Sequence, residues 1–161
     1  MRVTAYIGLG SNLEQPIEQV RRALQELATI AQSRLVAHSS LYRSDPVGPP
    51  GQPDYINAVA ALETELDAEA LLDQLQQIEH QHQRRRLVHW GPRTLDLDLL
   101  LFGDRQINTS RLQVPHPFLN QRNFVIYPLY ELQPELLLPD GSPLALLRRD
   151  CPMGTLEPIA L

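Results

Sequence analysis

Apolar and polar positions along this chain recur with two different periods, and each change of period marks the border of an element. Residues 2–9 alternate loosely and are rich in Val, Tyr and Ile, which predicts a first strand. Ile17, Val20, Leu24, Leu27 and Ile30 then recur at helical spacing, predicting a helix over about 16–31. Ser11 with Glu14 three residues later reads as its capping box, and Pro16 suits its first turn. A second strand is expected over about 34–43, and "YINAVAALETEL" at 55–66 alternates well enough for a third. Between them, "DPVGPPGQPD" holds four prolines and two glycines in ten residues and cannot pair regularly in a sheet. Asp67 opens a second helix over 67–83, with Leu71, Leu72, Leu75 and Ile78 on one face. "TLDLDLLLF" at 94–102 is the fourth strand, and Gly103 and Asp104 turn into a short hairpin within "RQINTSRLQV". The remainder mixes prolines with a helix expected around 118–132 and a short one at 143–149.

The order strand, helix, strand, strand, helix, strand predicts an α+β fold of the ferredoxin-like kind. The expectation is an αβα sandwich with a mainly antiparallel four-stranded sheet, helices on its faces and a small hairpin. A length of 161 residues fits a single domain over 1–161, and no repeat or linker divides it. The lone cysteine, Cys151, excludes an internal disulfide. No apolar run approaches the roughly 20 residues that cross a bilayer. The N-terminal stretch lacks a signal-cleavage pattern, so a cytoplasmic protein without a membrane partner is expected. A net charge of -5 argues against a nucleic-acid partner, because such binding runs on excess positive charge. Every Lys/Arg position is arginine, which excludes a lysine Schiff base, a P-loop lysine and a kinase-type strand lysine.

The fourth strand carries the candidate chemistry. Side chains alternate across a strand, so Leu95, Leu97 and Leu99 face one way and Asp96 and Asp98 the other. At strand rise the two aspartates stand roughly 6.5 to 7 Å apart at Cα. Burying either carboxylate uncompensated would cost several kcal/mol. One reading is a solvated edge. The neighbours favour another: Arg84, Arg85, Arg86 and Arg93 lie upstream, and Arg111, His116 and Arg122 downstream. Paired carboxylates bind Mg²⁺ together with substrate phosphates, and arginines suit the remaining phosphate oxygens. His80 and His82 point to different sides of their helix, which speaks against zinc.

Five motifs then stand in one family's order: "GSNL" at 10–13, "YRSDPVGPPGQPDYIN" at 42–57, "WGPRTLDLDLLLFG" at 90–103, "VPHP" at 114–117 and "RNFVIYPLYELQPE" at 122–135. The chain resembles the 6-hydroxymethyl-7,8-dihydropterin pyrophosphokinases of folate biosynthesis, most weakly after about residue 140. The resemblance implies transfer of the β,γ-pyrophosphoryl group of ATP to the hydroxymethyl oxygen of the pterin, giving AMP and the pterin diphosphate. It implies that Asp96 and Asp98 hold two Mg²⁺ ions. Arg84 and Arg86 match mobile-loop arginines that close over the phosphates, with Arg85 a neighbour able to stand in for either. Gln76, Glu79, Trp90, Arg93, Arg111, His116 and Arg122 match the surroundings of ATP. Tyr55 and Phe124 match two aromatics that sandwich the pterin ring, and Asn57 matches the residue on its hydrogen-bonding edge. Ser44, Val47 and Trp90 complete the expected pterin contacts. The loops at 46–53 and 84–90 are expected to act as lids, and a monomer is expected. Two rival readings stand beside it. One is a metal-dependent nucleotidyltransferase built on the Asp-x-Asp strand, and the other is a non-enzymatic RNA-binding module.

Overall fold

The computed structural model describes residues 2–12, 15–45, 54–82, 95–117 and 119–159. Strand β1 (Val3–Ser11) runs through the middle of a six-stranded sheet. On one side it pairs antiparallel with β5 (Asp96–Phe102) and on the other with β4 (Tyr55–Thr64). The far edge of β4 carries β2 (Ser33–His38) and β3 (Tyr42–Ser44) in succession, and β8 (Glu157–Pro158) pairs with β3. A separate two-stranded ribbon joins β6 (Ile107–Asn108) and β7 (Gln113–Val114), the expected hairpin.

Helices α1 (Pro16–Leu27) and α2 (Ala68–His82) cover one face, as the 3.6-residue pattern requires. Val20, Ala23, Leu24 and Leu27 of α1 and Leu71, Leu75 and Ile78 of α2 pack on Ala5, Ile7, Leu9, Ala58, Ala60, Leu97 and Leu99. Ile17 of the same apolar series is exposed instead. Helices α3 (Asn123–Leu132) and α4 (Leu144–Asp150) cover part of the other face, over Tyr6, Val59, Ala61, Leu100 and Leu101. Burying each such Leu, Ile or Phe contributes roughly 1.5–3 kcal/mol. The ferredoxin-like core is therefore present, with helices on both faces.

Three expectations are corrected. The sheet has six strands rather than four, because the run at 34–43 splits and the C-terminal segment adds β8. Polar groups at the split find partners outside a regular ladder. Ser39 Oγ accepts the Val59 N–H at 2.9 Å, and Glu131 takes the Ser40 N–H at 2.8 Å. Ser11 does not cap α1: it ends β1, buried opposite Ile56, and the N-cap is Gln15 at φ 62° with no side-chain bond. Strict alternation also fails in β5. The pairing shifts between Ile7↔Leu99 and Tyr6↔Leu101, so Leu100 and Leu101 both face α3 and α4. This is the two-against-one geometry of a β-bulge. His82 is a core group, its ring bonding Gln19 at 2.6 Å and Glu26, both on α1.

Candidate active site

The strand register builds the site. Asp96 lies opposite Gly10, and Asp98 opposite Gly8. Gly10 in turn lies opposite Asn57, and Asn57 opposite Tyr42. Directly opposed residues share a face, so the two carboxylates, the two glycines and the Asn57 amide form one surface. Close approach calls for a glycine at position 10, whereas position 8 has ordinary contact distances. A Cβ on Gly10 would stand 2.7 Å from Asn57 Nδ2, and one on Gly8 would touch the Leu100 side chain at 3.4 Å. The amide thus lies across the backbone of β1, where Nδ2 reaches the Leu9 carbonyl at 3.4 Å.

This surface floors a cleft of about 470 Å³. Its described lining includes Asp96, Asp98, Asn57 and Tyr55 from the sheet, Ser44 and Asp45 from the end of β3, and Arg122, Asn123 and Phe124 from the start of α3. Asp96 and Asp98 are half-buried, so each keeps an open side toward the cleft. The Arg122 guanidinium stands 5.6 Å from the Phe124 ring centroid, a cation–π contact that sets a positive charge at the rim. The lining of the cleft thus combines two carboxylates, a guanidinium set against the Phe124 ring and a second aromatic, Tyr55.

Seven expected site residues meet here: Ser44, Tyr55, Asn57, Asp96, Asp98, Arg122 and Phe124. His116 stands just behind them. Its N–H bonds the Leu100 carbonyl at 3.0 Å, which ties the segment after β7 to the strand of the aspartates. Burial pushes its imidazole below the usual value, Asp98 pulls the other way, and Arg122 adds to the lowering. The ring is neutral near pH 7 for that reason.

The expected ATP residues on α2 are not part of the described lining. Glu79 Oε2 accepts the Leu97 N–H at 2.8 Å. Leu97 sits between the two aspartates on an edge strand, so this carboxylate satisfies a donor that the sheet leaves unpaired. Arg111, on the ribbon, bonds Asp73 at 2.6 Å and Gln76 at 3.3 Å, with Glu69 at 3.5 Å. These acids raise the Arg111 pKa, so Arg111 and Gln76 form a second cluster on α2. Val47, Arg84, Arg85, Arg86, Trp90 and Arg93, with both expected lids, lie outside the described residues.

Sequence reasoning missed Gly8, Asp45, Asn123 and Thr155, all of which line the cleft. Gly8 carried a usable signal, because glycine inside a strand often marks a site that a ligand approaches. Thr155 carried none, since nothing local ties residue 155 to β3.

Two carboxylates on one strand face offer hard oxygen donors, the set that Mg²⁺ takes together with substrate phosphates. The Cβ-free glycines opposite leave space in front of both, so the residues fit such an ion. Among the described residues no group of three or more His, Cys, Asp or Glu side chains gathers as a metal cage.

Residues 6–134 match the family model described as 7,8-dihydro-6-hydroxymethylpterin-pyrophosphokinase (HPPK). A Haemophilus influenzae protein named 2-amino-4-hydroxy-6-hydroxymethyldihydropteridine pyrophosphokinase is 51% identical over 140 residues, covering 87% of this chain and 88% of that one. A Pseudomonas aeruginosa protein of the same name is 51% identical over 152 residues, covering 94% of each. Among solved structures, HPPK-DHPS in complex with substrates superposes with a TM-score of 0.73 at 12% identity, over 92% of this chain and 43% of that one. Plasmodium falciparum HPPK-DHPS, wild type with pterin and p-hydroxybenzoate, gives 0.72 at 14% identity with the same shares. The chain spans less than half the length of those structural neighbours, and at such identity the likeness is one of fold. Family model and half-identical relatives agree, and the chain belongs to the 7,8-dihydro-6-hydroxymethylpterin-pyrophosphokinase family.

Proposed function

We propose that this chain transfers the β,γ-pyrophosphoryl group of ATP to the hydroxymethyl oxygen of 6-hydroxymethyl-7,8-dihydropterin. The products are AMP and the pterin diphosphate, a step of folate biosynthesis. The observation that carries this reading is the make-up of one cleft, whose lining combines Asp96 and Asp98 with Tyr55, Phe124 and the Asn57 amide. Carboxylates and aromatics in one lining suit a charged triphosphate meeting a flat heterocycle.

Tyr55 and Phe124 hold the ring by stacking, worth about 0.5–1.5 kcal/mol per pair beyond burial. Asn57 offers a donor and an acceptor to the ring edge, and Ser44 and Val47 add contacts. Asp96 and Asp98 would hold two Mg²⁺ ions. When bound, those ions neutralise phosphate charge and stabilise both attacking and leaving oxygens of an in-line displacement. Arg122 supplies a positive charge against the Phe124 ring, and the neutral His116 imidazole offers a hydrogen bond without adding charge. Gln76, Glu79 and Arg111 contact the nucleotide from the α2 side, and Arg84, Arg86, Trp90 and Arg93 close over the phosphates. Arg111 must leave Asp73 to do so, so its ion pairs there act as a resting position. We read the protein as a cytoplasmic monomer; no described helix is long and apolar enough to cross a membrane.

Product analysis tests the reaction. Incubation with ATP, Mg²⁺ and the hydroxymethyl dihydropterin should release AMP in step with pterin diphosphate. Release of free pyrophosphate would instead support a nucleotidyltransferase. Calorimetric titration with a non-hydrolysable ATP analogue should give tight binding only with Mg²⁺ present, followed by pterin binding.

A further inference from the structure

After α4 the chain does not fold back on that helix. Residues 151–159 cross the start of α3 and join the far edge of the sheet. The Cys151 carbonyl accepts the Tyr127 hydroxyl at 2.7 Å, and the Met153 carbonyl accepts Asn123 Nδ2 at 2.9 Å. Gly154 turns at φ +58°, a left-handed value that suits glycine. Thr155 Oγ1 then accepts the Asp45 N–H at 3.0 Å. Leu156 is buried, Glu157 pairs with Arg43, and Ile159 N–H bonds the Leu41 carbonyl at 2.8 Å.

Two walls of the cleft thus share one brace. Phe124 rides on the first turn of α3, next to Asn123, while Ser44 ends β3 and Asp45 follows it. The other end of α3 is bolted to this sheet edge directly, through Glu131 to the Tyr42 hydroxyl at 2.5 Å and to Ser40. At its first turn the hydrogen bonds run through the strap instead. Thr155 also lines the cleft itself. The family-model match ends at residue 134, so this segment lies beyond it.

We propose that residues 151–159 form a strap that fixes the width of the aromatic slot, with Thr155 as its positioning residue. By holding the Asp45 N–H, its hydroxyl keeps the Ser44–Asp45 stem at a set distance from Phe124. The strap is then a specificity element for the flat heterocycle and not for the nucleotide. This rests on the reading of the cleft as the pterin site.

The test compares Thr155→Val, which keeps the shape and loses the hydroxyl, with Thr155→Ser, which keeps the hydroxyl. Full-length enzyme should show the pterin KM raised about tenfold in Thr155→Val, with kcat and the ATP KM within twofold of the parent. Thr155→Ser should restore the pterin KM. A parent-like pterin KM in Thr155→Val overturns the proposal. So does a parallel loss of kcat, both KM values and Tm, which marks a merely structural contact. Tyr55→Ala separates the two claims: if it leaves pterin binding untouched, the slot reading fails, and if it abolishes binding while Thr155→Val is silent, only the strap fails.

Discussion

The two faces of the sheet use the same strands for opposite ends. Toward α1 and α2, β1 presents Ala5, Ile7 and Leu9 and β5 presents Leu97 and Leu99, all buried without interruption. Toward α3, β1, β4 and β5 begin as core, with Tyr6, Val59, Leu100 and Leu101. They then change character within a few residues to Gly8, Gly10, Asn57, Asp96 and Asp98. The difference is one of coverage. Two long helices seal the first face along its length, whereas α3 begins part-way along the second and leaves the strand ends open. The two carboxylates are tolerated on that second face because they stay half-exposed, and the buried Asn57 amide donates to the Leu9 carbonyl.

Substitutions on the two faces should therefore separate cleanly. The largest effect is expected for Asp98→Ala: turnover should fall by about 10³-fold or more, the scale of removing a preorganised charge-stabilising group. Pterin binding and Tm should survive. Near-normal turnover would erase the distinction between the faces. Next in size is Leu75→Ala on the sealed face, which should cost about 2–5 kcal/mol in denaturant unfolding. Its kcat per folded molecule should stay at the parent value.

Gly10→Ala probes the border between core and cleft. The added Cβ pushes the Asn57 amide out of place, and the pterin KM should rise about tenfold, roughly 1.4 kcal/mol. Unfolding free energy should change far less than for Leu75→Ala. If stability and KM suffer alike, the border is not where the register puts it.

The smallest effect concerns His116 in metal-free protein. Its imidazole is held below the usual value of 6.5, mainly by burial. The unfolded chain therefore takes up a proton first as the pH falls. The stability contributed by the neutral folded ring is complete above the ordinary imidazole value. It is lost as pH drops from there through the lowered folded value. His116→Asn should flatten that part of the stability–pH curve, as read by urea unfolding between pH 7 and 5.

The aspartate pair was legible in the sequence because strand alternation is a local signal, whereas Tyr55 and Phe124 were named through the family resemblance and not through any local pattern. The departures arose where distant groups met. Ser11 resembled a helix cap by spacing, yet pairing with Ile56 drew it into β1. Arg111 read as a phosphate ligand, yet acids on α2 hold it in this structure.

The two long helices, the sealed apolar face and the two carboxylates on one side of β5 were determined by the sequence alone, since periodicity and side-chain alternation act between near neighbours. Tertiary structure decided the bulge that turns Leu100 and Leu101 to one side, the glycine floor beneath Asn57, the Glu79 clamp on Leu97 and the C-terminal strap beside Phe124. Each of these joins residues far apart in the chain, and only the packing of one element against another sets such distances.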